Sequence, residues 1–205
     1  MNTQRLETQV WKRLLVALIF AAAGLVTYVG TQGLNGPAPD RRDFQLKDTS
    51  GRTVTLDSYK GKWVLMFFGF TSCPDICPTA LTNVASTLDA MGAGAKDIQP
   101  VFITIDPERD TAEVLKDYLA NFGPRIAGLT GTPAQIAAVA ARYQTFYSKR
   151  PTDDGGYTMD HSSAFELLSP EGVYLRAFRP DDDPQDFAKE LLATMKEAGM
   201  KEAKK

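Results

Sequence analysis

Residues 63–80 read WVLMFFGFTSCPDICPTA. The first eight form an unbroken apolar run of aliphatic and aromatic side chains, the pattern of a central strand buried on both faces. The run ends at Phe70, and Cys73 and Cys77 follow in a turn leading into a helix. Open α/β sheets collect ligands at the carboxyl ends of their strands, so a site is expected in this turn. A helix N-terminus also favours thiolate over thiol, because unpaired N–H groups and the helix dipole stabilise negative charge there. Pro74 and Pro78 stiffen the turn and remove N–H groups that would otherwise lack partners.

Outward from this stretch, strand and helix patterns alternate. Residues 44–47 and 53–56 flank the turn DTSG and predict a β-hairpin. Residues 79–91 carry apolar side chains at helical spacing (Leu81, Val84, Ala85, Leu88), and Gly92 and Gly94 end that helix. A second buried strand is expected over 101–105. A helix over 111–122 follows, with Thr111 as its N-cap, Val114, Leu115, Tyr118 and Leu119 facing inward, and Gly123-Pro124 as its stop. Residues 126–129 read as a short strand. Thr132-Pro133 opens a helix expected to run to about Tyr147, with Pro at its first position. The polar stretch KRPTDDGGYT reads as a loop. Strands over 164–168 and 173–178, joined by SPEG, precede a last helix over 183–195, and the KEAKK end is expected to fray. The alternation implies an α/β sandwich with a mixed sheet.

The chain has 205 residues, enough for one ordinary domain and an appendage. Its 23 Lys+Arg against 25 Asp+Glu leave no basic footprint, so no nucleic-acid partner is expected. Two cysteines and one histidine cannot complete a four-ligand structural zinc site unless a carboxylate joins, and they exclude a disulfide-stapled mini-protein. No G-x-G-x-x-G or G-x-x-x-x-G-K-[ST] loop is present.

The appendage lies at the start. Residues 14–29 (LLVALIFAAAGLVTYV) are apolar apart from Gly24 and Thr27, and no charge occurs from Leu14 through Pro39. At 1.5 Å per residue this run spans roughly 25 Å, a short crossing of a bilayer core of about 30 Å. Trp11, Lys12 and Arg13 precede it as an interfacial aromatic and two cytoplasm-favouring cations, although Arg41, Arg42 and Lys47 weaken the charge asymmetry. The expected organisation is a cytoplasmic N-terminus over 1–13, a single-pass transmembrane anchor over 14–30, a Gly/Pro linker over 31–41, a domain over 42–198 and a charged tail over 199–205. A cleaved signal peptide is the alternative, but no A-x-A-like site follows the run. Either form exports the domain. Glu7 and the scarcity of serine argue against a mitochondrial presequence, so a bacterial inner-membrane protein with a periplasmic domain is expected.

Free cysteine is among the most buried residue types, so a packed pair is the plain alternative to a site. A structural disulfide is another, but so small a loop contributes only about 2 kcal/mol in the chain-entropy model. Exported thiols left free have two uses, redox exchange and metal binding. His161 sits at the end of a Gly-rich loop before a strand. Two thiolates and an imidazole make a soft three-coordinate set suited to Cu(I), with Cu(II) possible if water or a carboxylate adds a ligand. Asp160 is a candidate to steer the imidazole or simply to cap the loop, and Met159 is better read as packing than as a ligand.

Together, GFTSCPDICPTAL, ITIDPERDT and MDHSSAFELLSPEG closely resemble the Sco/SenC family of copper chaperones over about residues 42–197. The resemblance implies a thioredoxin-like fold with an N-terminal hairpin extension, tethered by one transmembrane helix. It implies copper held by Cys73, Cys77 and His161, delivered to the CuA-bearing subunit during assembly of cytochrome c oxidase. It also places the DPERD loop, Asp106 to Asp110, near the site, although Asp110 and Thr111 also read as an ordinary helix start. Many members have His where this chain has Ser72, a position that is not a family ligand. A copper donor and a thiol reductant in the same compartment follow, because a Cys73–Cys77 disulfide cannot bind copper. The rival reading is a membrane-tethered thiol-disulfide oxidoreductase. Against it, three residues separate the cysteines where redox motifs have two, and 158–164 carries His161 but no proline.

Overall fold

The structure, a computed structural model, describes residues 40–179 and 183–202. The expected transmembrane anchor, the N-terminus before it and the linker up to residue 39 lie outside the described residues. Among the described residues, no helix is long and apolar enough to cross a membrane.

The elements run in the order β1 (Gln45–Asp48), β2 (Thr53–Thr55), β3 (Trp63–Gly69), α1 (Ile76–Met91), β4 (Ile98–Thr104), α2 (Ala112–Ala120), β5 (Ala127–Thr130), α3 (Pro133–Arg142), β6 (Tyr147–Pro151), β7 (Tyr157–His161), β8 (Phe165–Leu168), β9 (Tyr174–Phe178) and α4 (Pro184–Glu202). Seven strands form one mixed sheet in the order β2-β1-β5-β4-β3-β8-β9. Strands β3, β4 and β5 are parallel, and β8 joins β3 antiparallel with Phe67 opposite Phe165. The expected hairpin β1–β2 extends one edge by pairing antiparallel with β5. This is the expected thioredoxin-like α/β arrangement.

All seven residues of β3 are buried, as its unbroken apolar run requires. The buried positions of α1 (Cys77, Ala80, Leu81, Val84, Thr87, Leu88 and Met91) recur at helical spacing and make one inward stripe. Phe67 meets Phe165 at 5.0 Å between ring centroids, and Phe165 stacks on Phe187 of α4 at 5.4 Å. Neighbouring strand residues point to opposite faces, and Phe68 accordingly packs on Tyr143 at the end of α3.

Several boundaries differ from the sequence expectations. Helix α1 begins at Ile76, with Asp75 at the position before it, so Cys77 lies inside its first turn and only Cys73 in the loop. Val114 is exposed, and Leu115 and Leu119 carry the inward face of α2. Helix α4 runs past Met195 to Glu202. Helix α3 stops at Arg142, well short of Tyr147. There the N–H of Thr145 donates to the carbonyl of Ala140 at 2.8 Å and that of Gln144 to Ala141 at 3.1 Å, the paired bonds of a Schellman cap. Gln144 sits at φ 57, in the left-handed region usually filled there by glycine, so composition gave no stop signal. The polar stretch read as a loop is instead the hairpin β6–β7, with Tyr147 opposite His161 and Pro151 opposite Tyr157.

A left-handed conformation costs a side-chain-bearing residue about 1–2 kcal/mol, part of which glycine loses again through its freer unfolded state. Gln144→Gly is expected to stabilise the protein by about 0.5–1 kcal/mol, read as a higher urea midpoint at unchanged slope.

Candidate metal centre

The cysteines owe their placement to the way β3 ends. The carbonyl of Gly69 accepts from the N–H of Ile105 at 2.8 Å, closing the last rung between β3 and β4. The chain then turns, with the N–H of Cys73 donating to the carbonyl of Phe70 at 3.3 Å. Asp110, fully buried, fixes this turn from the side. Its carboxylate accepts from the N–H of Thr71 at 3.0 Å, from the hydroxyl of Thr71 at 2.6 Å and from that of Thr104 at 2.6 Å. Asp110 therefore braces the cysteine turn, while Thr111 caps α2 by accepting from the N–H of Val114. Gly69 matters through what it lacks. A Cβ there would lie 2.9 Å from Cys77 Sγ and 2.8 Å from the Phe102 ring, so the sulfur occupies the space a side chain would need.

His161 closes the site from the end of β7. Its Nε2 lies 3.6 Å from Cys77 Sγ, and its Nδ1 lies 2.9 Å from the carbonyl oxygen of Ser162. A carbonyl only accepts, so Nδ1 carries a hydrogen and Nε2 is the nitrogen turned toward the sulfurs. Phe67 and Phe70 hold the ring edge-on at 6.3 and 5.8 Å. One ligand atom from each of Cys73, Cys77 and His161 falls within 4.8 Å of the others, the one such cluster among the described residues. Both cysteines are free thiols, Cys77 buried and Cys73 partly exposed.

The other sequence candidates fall outside this cluster. Asp160 is exposed and pairs with Arg150 at 3.2 Å, and it is the carbonyl of Ser162, not Asp160, that meets the imidazole Nδ1. Asp106 is buried and bonds to Arg109 and to the hydroxyl of Tyr157. Met159 is buried in the core, as the packing reading expected. Sequence reasoning missed Gly69, Thr71 and Ser162, whose roles rest on contacts that no local pattern announces.

The thiols are electrostatically unlike. A hydrogen bond from Cys77 is the largest influence on Cys73. With the N–H groups of Cys77 and Asp75, it outweighs partial burial and holds Cys73 at about 4. That same bond, with burial second, pushes the Cys77 thiol far up. The N–H of Cys77 approaches Cys73 Sγ at 3.4 Å, so the first turn of α1 faces the charged sulfur. The two thiols titrate as a pair, in which charge is favoured on Cys73 and the proton on Cys77.

Known proteins share this architecture. The SCO1/SenC family model matches residues 33–196. An SCO2-like protein of Rickettsia felis is 44% identical over 147 residues, covering 71% of this chain and 72% of the relative. The structure of Bradyrhizobium japonicum ScoI with copper bound is 43% identical, covers 75% of this chain and 98% of that one, and superposes with a TM-score of 0.69. Yeast Sco1 with copper bound is 34% identical, covers 76% and 88%, and gives a TM-score of 0.71. By the family match along most of its length and its identity to these relatives, the chain belongs to the SCO1/SenC family.

Proposed function

We propose that this chain is a membrane-anchored copper chaperone that carries copper on Cys73, Cys77 and His161 and delivers it to the CuA centre of cytochrome c oxidase. The observation that carries the reading is the convergence of two sulfurs and Nε2 within 4.8 Å. Two soft thiolates and one imidazole suit Cu(I), and relatives have been solved with copper bound. The Cys73 thiolate, partly exposed and already charged, meets the cargo first. Cys77 gives up its proton on binding, and His161 presents Nε2 without reorienting because Ser162 holds its other nitrogen. An acceptor rich in thiols takes the metal by exchanging ligands stepwise, starting at the more accessible Cys73. The run over residues 14–30 would tether the domain on the periplasmic side of a bacterial inner membrane, beside a copper donor and a thiol reductant.

A second reading, reduction of the acceptor's own cysteines, is favoured by one observation. Cys73 is a partly exposed thiolate beside a partner thiol, which is the chemistry of disulfide exchange.

Two measurements test these readings. In a Cu(I) competition titration of the reduced full-length chain, wild type is expected to bind one equivalent, Cys77→Ala to lose nearly all affinity, and His161→Ala to bind more weakly. If wild type binds no more copper than Cys77→Ala, the chaperone reading fails. The second follows the rate of Cys73 alkylation by iodoacetamide against pH. Thiolate, the reactive form, persists above the depressed pKa and disappears below it, so the rate should stay near its plateau at neutral pH and fall by half near pH 4. In Cys77→Ala, which loses the thiol donor and keeps only the backbone N–H facing Cys73, that midpoint should move upward.

A further inference from the structure

The three ligands stand on two different bodies. Cys73 and Cys77 belong to the junction of β3 and α1 in the main sheet, whereas His161 ends a separate two-stranded ribbon, β6–β7. A lone pair of strands is marginally stable in water, so this ribbon needs outside support to keep an imidazole in register with two sulfurs.

The support comes from the DPERD loop. Along β7, alternate residues Tyr157, Met159 and His161 share a face. Met159 is buried in the core, and His161 meets the cysteines. Tyr157, about 13 Å along the strand from His161 at 3.3 Å per residue, is gripped from several directions. Its hydroxyl donates to the buried carboxylate of Asp106 at 2.9 Å. Its carbonyl accepts from Arg109 Nη1 at 2.8 Å, and the Arg109 guanidinium lies 3.9 Å from its ring centroid. Arg109 Nε bonds to Asp106, so one guanidinium joins loop, backbone and ring. On the opposite strand, Lys149 reaches Glu108 of the same loop and lies 4.6 Å from the Tyr157 ring. At the other end the two strands are joined to each other, the N–H of Ser162 donating to the carbonyl of Phe146 at 2.9 Å.

We propose that Asp106, Arg109 and Tyr157 are positioning residues for the metal centre: they clamp the tip of the β6–β7 ribbon and so set where its other end presents His161 to the cysteines. None of the three touches the ligand atoms. Asp110, from the same loop, fixes the cysteine turn, so one short segment aligns both halves of the site. The inference rests on the copper reading for its consequence, but the clamp itself does not.

The test measures Cu(I) affinity by competition with a chelator, and hydrogen exchange without metal, on the reduced full-length chain. Supporting groups around metal ligands are worth about 10–100-fold in affinity. Arg109→Ala is expected to weaken Cu(I) binding by about that factor, to the level of His161→Ala. The double variant Arg109→Ala/His161→Ala should be no weaker than His161→Ala alone, because the clamp acts only through the imidazole. Tyr157→Phe, which loses one hydrogen bond and keeps its ring, should fall between wild type and Arg109→Ala, and Arg109→Lys should recover part of the loss. In metal-free Arg109→Ala, exchange should quicken over residues 147–151 and 157–161 while β3 and β4 keep wild-type protection. Wild-type affinity in Arg109→Ala, or losses that add in the double variant, would overturn the proposal. If wild type and Cys77→Ala bind copper alike, the copper reading falls instead, and the exchange measurement still decides the clamp: unchanged protection of the ribbon refutes it.

Discussion

A carboxylate shut away from water joins the reactive turn to the sheet. Asp110 is fully buried, and three donors from Thr71 and Thr104 meet its oxygens. An isolated buried charge is strongly unfavourable, so the carboxylate is tolerated only while those donors stay in place. Hydrogen bonds to a charged group contribute about 1.5–3 kcal/mol each, enough to hold a turn whose own backbone bonds are few. Thr71 follows the end of β3, Thr104 ends β4, and Asp110 precedes α2. The central parallel strands and the loop carrying Cys73 thus become one rigid unit.

That unit explains why two neighbouring thiols behave so differently. Cys77 is drawn into the first turn of α1 and buried, while Cys73 stays at the rim facing the amide of Cys77. Burial disfavours charge, whereas donors at a helix start favour it, and the shared hydrogen bond makes the two effects reinforce each other. The imidazole comes from a separate ribbon, so its place opposite the sulfurs rests on the contacts that hold that ribbon to the 106–110 loop.

How far the sequence could be read followed from the range of the interactions involved. The run over 63–70 announced β3 because a strand covered on both faces must be apolar throughout. Thr111 and Thr132-Pro133 marked helix starts correctly because capping is local chemistry. The end of α3 stayed hidden because Gln144 stands in a conformation that composition normally signals with glycine. The ribbon β6–β7 looks like a loop in the sequence because β6 is charged and largely exposed, and its anchors lie far away in sequence at Asp106 and Glu108. At the site, the three ligand types and their grouping were legible from the motifs. The acceptor for Nδ1, the brace at Asp110 and the contact at Gly69 were not, since each depends on a tertiary approach.

The contact at Gly69 bears on how such a site is surveyed. Cys77 Sγ is located partly by a vacancy, the missing Cβ of a strand residue. Scans that truncate side chains one after another detect groups that contribute atoms. A glycine has none to remove, so a deletion survey would pass over position 69 and credit the geometry to its neighbours. Only adding a methyl group there exposes the constraint, which makes the centre's shape depend as much on an enforced emptiness as on any bond.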